Sequence, residues 1–167
     1  LDGSYAPEGG TLDVRYKSEQ QLAAELKDIR DHGAQTIVVY GQGVLWTTRL
    51  DWDADRLDKF LTIMDGAGLG GGPLYFGGLG YWDSPPIERV QEVKEIADGH
   101  GFQPLYIYGI DEATGKPLHD ERPYWQQLHD MGVKVVVAVS GNAYDLVGDL
   151  LDVANFYGPP GVTEAEK

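Results

Sequence analysis

Apolar residues recur along the chain with two alternating patterns. Spacings of i, i+3, i+4 and i+7 predict helices, and short continuous β-prone runs predict buried parallel strands. Ser18 opens the first helix, with Gln21 as capping-box partner, Leu22, Leu26 and Ile29 as its apolar stripe, and Gly33 as its stop. The run Thr36–Tyr40 follows as a strand. Asp53 caps a second helix carrying Leu57, Phe60, Leu61 and Met64, and Leu74-Tyr75-Phe76 forms the next strand. Ser84 then caps a third helix, with Pro85 at its first position and Ile87, Val90, Val93 and Ala97 facing inward. A strand over 104–110 leads through a loop at 113–121 to a helix near 122–131 that carries Trp125, Leu128 and Met131. The strand Lys134–Ser140, a helix over 143–152 and a last strand Val153–Tyr157 complete the pattern.

Strands that alternate with helices imply right-handed βαβ units and a parallel sheet, so the fold class is α/β. Five such strands form either an open flavodoxin-like sheet or a consecutive run from a closed barrel. A helix precedes the first strand, which points to a strand missing upstream. A complete barrel needs roughly 250 residues, and this chain has 167. The expected architecture is therefore a partial TIM-type barrel segment over residues 18–158, with a lead-in loop at 1–17 and a charged tail at 159–167. Such a segment exposes a sheet edge, so a homo-oligomer or the remaining barrel portion is the expected cover. The opening Leu1-Asp2-Gly3-Ser4 reads as a cut inside a longer protein.

Charge narrows the partners. The formal net charge is −14, which argues against a polyanionic partner, whether nucleic acid or an anionic membrane. No apolar run reaches the length of a membrane span. Cysteine is absent, which removes disulfides, thiolate nucleophiles and cysteine-ligated metals.

Most motif-like features reduce to turns and caps. Gly41-Gln42-Gly43 follows a strand but is not continued by a third glycine, and no Gly-Lys-Ser/Thr occurs. No nucleotide cofactor is expected. His32 and His100 fall in the last turns of helices, where imidazole suits the negative end of the helix dipole. His129, beside Asp130, reads as a surface residue. No His-x-x-x-His pair points to zinc. His119 is kept only as a weak site candidate.

Asp111-Glu112 differs by position. It ends the apolar run that starts at Leu105, and α/β enzymes place their chemistry at carboxyl ends of parallel strands. If strand alternation persists, Tyr106, Tyr108, Ile110 and Glu112 share one face and Asp111 points the other way. Two neighbouring carboxyl groups suit glycoside hydrolysis, which needs one as proton donor and one as nucleophile or charge stabiliser. Mutual repulsion and an apolar strand end would favour the protonated form of one of them. The bland alternative is a loop cap or a solvated pair.

Other strand ends and loops would complete a pocket on the same side. Tyr40, Tyr157, Asn142 and Ser140 lie at predicted carboxyl ends, Tyr108 just before the carboxylates, and Trp46, Tyr81 and Trp82 on loops above them. Aromatic side chains on loops are not needed for a core and can stack on a sugar ring. Carbohydrate is the expected ligand.

This pattern resembles the sugar-cleaving (β/α)8 barrels, in particular bacterial glycoside-hydrolase-like proteins whose fourth strand ends in Asp-Glu. Residues 19–40 are similar to their first helix and second strand, and Tyr108-Gly109-Ile110-Asp111-Glu112 is similar to their fourth-strand end. The resemblance implies that Glu112 is the acid/base. In the hexosaminidase version the neighbouring aspartate positions the substrate's acetamido group, a role that would fall to Asp111. The His-x-Gly-Gly lead-in of that version is absent here. The non-catalytic counterpart is a carbohydrate-binding or scaffold barrel that uses its loop aromatics alone.

Overall fold

The computed structural model describes residues 4–5, 16–40, 53–77 and 84–156, with only the backbone described at Ser4, Tyr5, Tyr16 and Tyr40. Strands β1 (Ser4–Tyr5) and β2 (Tyr16–Lys17) pair in parallel as a small separate sheet, within the stretch expected to be a lead-in loop. Helix α1 (Glu19–Asp31) follows with the capping box intact: the Ser18 hydroxyl accepts from the Gln21 amide, and the Gln21 side chain accepts from the Ser18 amide. Next come β3 (Val38–Tyr40), α2 (Ala54–Met64), a π-helical turn (Asp65–Leu69) and β4 (Leu74–Gly77). Asp53 caps α2 as expected, accepting from the Arg56 amide.

Helix α3 (Ile87–Gly99) starts later than its sequence indicates. Pro86, not Ser84, is its cap: a residue that precedes proline is disfavoured in helical geometry, so Pro85 does not open the helix, and the Ser84 hydroxyl donates to Glu121. Strand β5 (Leu105–Tyr108) leads into a short helix, α4 (Gly115–Asp120), inside the expected loop. Then follow α5 (Arg122–Asp130), β6 (Lys134–Val139), α6 (Ala143–Val147) with a 3-10 turn (Gly148–Leu150), and β7 (Val153–Phe156).

The five strands β3 to β7 form one all-parallel sheet in chain order. No reversal occurs among them, so the switch point of a flavodoxin-like sheet is missing. The architecture is a parallel (β/α) repeat whose five strands lie side by side in chain order. Each right-handed crossover that steps in the same direction places its helix on the same face of the sheet.

Burial follows that rule. On the helix side, Val39, Leu74, Phe76, Leu105, Ile107, Val135, Val137 and Val139 pack with Leu22, Leu26, Phe60, Val93, Trp125 and Leu128 in one core. The opposite face is half-buried to exposed at Tyr75, Tyr106, Tyr108, Val136 and Val153, and Val38 is 53% exposed. Parallel sheets usually bury both faces. Here one face is covered by helices, and the other, called the open face, is mostly half-buried, exposed at Val38 and buried at Gly77 and Ala138.

Alternate positions of the open face line up across strands. Val38 pairs with Tyr75, Tyr75 with Tyr106, and Tyr106 with Lys134. The two tyrosine rings stack at 4.4 Å and 9°. The Lys134 ammonium lies 5.6 Å from the Tyr106 ring centroid, within cation–π range.

Asp152, at the amino end of β7, ties this row to the helix layer. Its Oδ2 accepts from the Val135 amide at 2.8 Å and from His129 Nε2 at 2.9 Å, and its Oδ1 lies 3.3 Å from Lys134 Nζ. The Asp152 amide donates to the Val135 carbonyl at 3.1 Å. His129 is therefore half-buried and bonded between elements, not a free surface residue. Partial burial of Asp152 opposes its charge, but the Val135 amide, His129 and Lys134 outweigh this and hold its carboxyl below the ordinary range.

Two measurements check this arrangement. Phe76→Ala, on the covered face, should cost about 3–5 kcal/mol, whereas Val38→Ala, on the open face, should cost less than about 1 kcal/mol. Urea denaturation reads both. For Asp152, a depressed folded pKa means stabilisation present above the unfolded value of about 4 and lost as pH falls through the folded one. Asp152→Asn should destabilise by about 1–2 kcal/mol at neutral pH. That difference should shrink in melts run below about pH 4.

Candidate functional site

The candidate site is the turn that follows β5, the central strand. Along β5, Leu105 and Ile107 are buried in the helix-side core, while Tyr106 and Tyr108 are half-buried on the open face. The ladder continues one residue past the strand, where the Gly109 amide donates to the Val136 carbonyl at 3.0 Å. Only glycine fits there. A Cβ on Gly109 would lie 2.6 Å from Val137 Cγ1 and 3.3 Å from the Trp125 indole. Trp125, on α5, is fully buried, and its indole Nε1 has no hydrogen-bond partner.

Beyond Gly109 the strand alternation stops, and this changes the expected orientation of the carboxylates. Asp111 does not point away from the Tyr108 side. Its Oδ1 accepts from the Tyr108 hydroxyl at 2.6 Å. Glu112 adopts φ +49°, the left-handed region, and is exposed, as is Asp111. A non-glycine residue there is strained by about 1–2 kcal/mol. The described residues therefore do not supply the apolar shelter expected around the pair.

The other expected site residues divide into described and undescribed. Asn142 is exposed at the start of α6, makes no side-chain capping bond, and so leaves its amide free of the helix end. Ser140, just past β6, is half-buried. Tyr40 ends β3, in register with Gly77 at the end of β4. Trp46, Tyr81, Trp82 and Tyr157 lie outside the described residues. His119 is exposed on α4, 4.0 Å from Asp120. Tyr108 and Asp111 are thus the expected pair that comes into direct contact.

A cluster the sequence does not signal braces the rim of this end. Glu121 and Arg122, at the α4–α5 junction, reach the loops on both sides. Glu121 accepts from the Ser84 hydroxyl, and the nearby Tyr124 hydroxyl donates to the Pro85 carbonyl at 2.6 Å. Burial, and then the Glu121 charge, push the Tyr124 phenol well above its ordinary range. On the other side, Arg122 makes a two-pronged bond to Asp149 at 2.6 and 2.5 Å and donates to the Leu146 carbonyl at 2.8 Å. The Asp149 hydrogen bond raises the Arg122 pKa, and the Arg122 fork lowers that of Asp149. Segments after β4, β5 and β6 are therefore clamped together at one junction. In the sequence these residues read as ordinary solvated charges, because their partners are far away along the chain.

A depression of about 310 Å³ lies at the opposite, amino end of β5, lined by Lys94, Asp98, Gln103, Pro104, Leu105 and Gly132. Lys94 and Gln103 both donate to Asp98 there, at 2.5 and 3.4 Å, so its polar groups bond one another. Among the described residues, no group of three or more His, Asp or Glu side chains could hold a metal ion, and no helix is long and apolar enough to cross a membrane. No protein-family model, curated protein or solved structure matches the chain.

The backbone strain at residue 112 has a measurable consequence. Glu112→Gly relieves the left-handed strain but loosens the unfolded chain by about 0.4–1 kcal/mol. The net effect should be a gain of up to about 1.6 kcal/mol in urea denaturation. Gly109→Ala should instead cost about 1–3 kcal/mol, because Val137 and Trp125 must give way.

Proposed function

We propose that this chain acts on carbohydrate as a glycoside-hydrolase-like (β/α) protein, with Glu112 as acid/base and Asp111 as the orienting or stabilising charge. The observation that carries this reading is the anchoring of Asp111 by the Tyr108 hydroxyl at the carboxyl end of the central strand. Two carboxyl groups at a parallel-strand end are placed where such enzymes act. Hydrolysis needs a protonated carboxyl group to assist the leaving oxygen. It also needs a second, charged one to stabilise the oxocarbenium-like state or to attack. Strain retained at Glu112 accords with a side chain kept for its chemistry, since glycine would suit that backbone better.

Carbohydrate suits the rest of the chain. A net charge of −14 disfavours anionic ligands, and the neutral hydroxyls of a sugar avoid that repulsion. Trp46, Tyr81 and Trp82 would supply stacking surfaces, while Asn142 has a free amide for hydroxyl groups. The exposure of both carboxyl groups favours a second reading, a non-catalytic carbohydrate-binding domain.

Turnover separates the two. With a panel of 4-nitrophenyl glycosides, Glu112→Gln should lower kcat at least about 100-fold. Binding of the corresponding free sugar, followed by calorimetry, should survive. If Glu112→Gln leaves turnover unchanged, Glu112 is not the acid. If instead Trp82→Ala abolishes sugar binding and the wild-type chain cleaves none of the panel, the binding-domain reading replaces the enzymatic one.

A further inference from the structure

Tyr108 is the last residue of β5, and strand alternation with the buried Ile107 puts it on the open face, paired with Val136. A tyrosine has only two side-chain torsions, so a half-buried ring on a strand holds its hydroxyl at a nearly fixed point. Asp111 is different. An exposed aspartate on a turn ordinarily samples several rotamers. Its Oδ1 nevertheless sits 2.6 Å from the Tyr108 hydroxyl, a length typical of a charge-assisted O–H···O bond.

The turn between them is itself fixed. Gly109 runs close beside Val137 and Trp125, where a Cβ would clash, and its amide is hydrogen-bonded to the Val136 carbonyl, which ties the start of the turn to the sheet. We infer that Tyr108 is a positioning residue whose hydroxyl holds the Asp111 carboxylate on the open-face side of the sheet. This rests on the carbohydrate-hydrolase reading for its purpose, though not for its geometry. It gives the Tyr108 hydroxyl a role in orienting the carboxylate.

The assignment gives the two carboxylates unequal freedom. A charge that stabilises a developing cation is effective when it is oriented before the reaction begins. Asp111 has that orientation from Tyr108. Glu112, exposed and on left-handed backbone, is the group left to meet the leaving oxygen.

The test compares the full chain with Tyr108→Phe and Tyr108→Ala. Three-bond couplings of the Asp111 side chain, measured by NMR, report its rotamer without any substrate. The wild type should show one dominant rotamer, and Tyr108→Phe should show averaging while its thermal midpoint stays close to that of the wild type. Unchanged couplings in Tyr108→Phe would overturn the proposal. On 4-nitrophenyl glycosides, Tyr108→Phe should lower kcat roughly 10- to 100-fold with little change in KM. A stacking residue would behave oppositely, with Tyr108→Phe close to wild type and only Tyr108→Ala impaired through KM. If Glu112→Gln proves silent but the Asp111 couplings still average in Tyr108→Phe, the hydrolase reading fails and the positioning role stands. If Glu112→Gln is inactive and Tyr108→Phe matches the wild type in both assays, the positioning role alone fails.

Discussion

Every crossover in the main sheet steps the same way, and the rest of the structure depends on this constraint. A right-handed βαβ connection fixes which face its helix covers. Strands in simple chain order therefore send all the helices to one side. That side holds the continuous core from Leu22 to Leu150. On the other side, the described strands place a cross-strand row over the amino-terminal half. Val38, Tyr75, Tyr106 and Lys134 occupy one register across four strands, with the tyrosine rings stacked and the lysine beside them. Asp152 fastens that row to α5 through His129, so both layers meet in one carboxylate.

The two ends of the sheet are consequently unlike each other. At the amino end, charges pair tightly, with Asp152 serving His129, Lys134 and the Val135 amide, and Asp98 serving Lys94 and Gln103. At the carboxyl end, the Glu121–Arg122 junction braces the neighbouring loops while Asp111, Glu112 and Asn142 remain exposed.

Within that site, steric and hydrogen-bond constraints set the geometry. Gly109 lets the chain pass close to Trp125 and Val137, and the residues after it no longer follow strand alternation. Asp111 can then turn back to Tyr108. The strain at Glu112 follows from the same tight turn.

Local patterns in the chain determined most of the scaffold. The capping box at Ser18 and Gln21, the Asp53 cap, the stripe Leu57, Phe60, Leu61 and Met64, and the apolar run of β6 all depend on near neighbours, so their spacing was legible. Alternation of strands and helices implied the parallel sheet, and the position of Asp111-Glu112 after an apolar run marked the strand end. Contacts between distant segments were not legible. Ser84 looks like a helix cap, and its bond to Glu121, far along the chain, leaves no sign in the local sequence. His129 looks like a surface residue until β7 brings Asp152 to it. The direction of Asp111 was misread for a related reason. Extending a strand's alternation assumes that the strand continues, whereas β5 ends at Tyr108 and Asp111 turns back to the Tyr108 hydroxyl. Periodicity along the chain records which residues face a core, but partners brought together by folding leave no local trace.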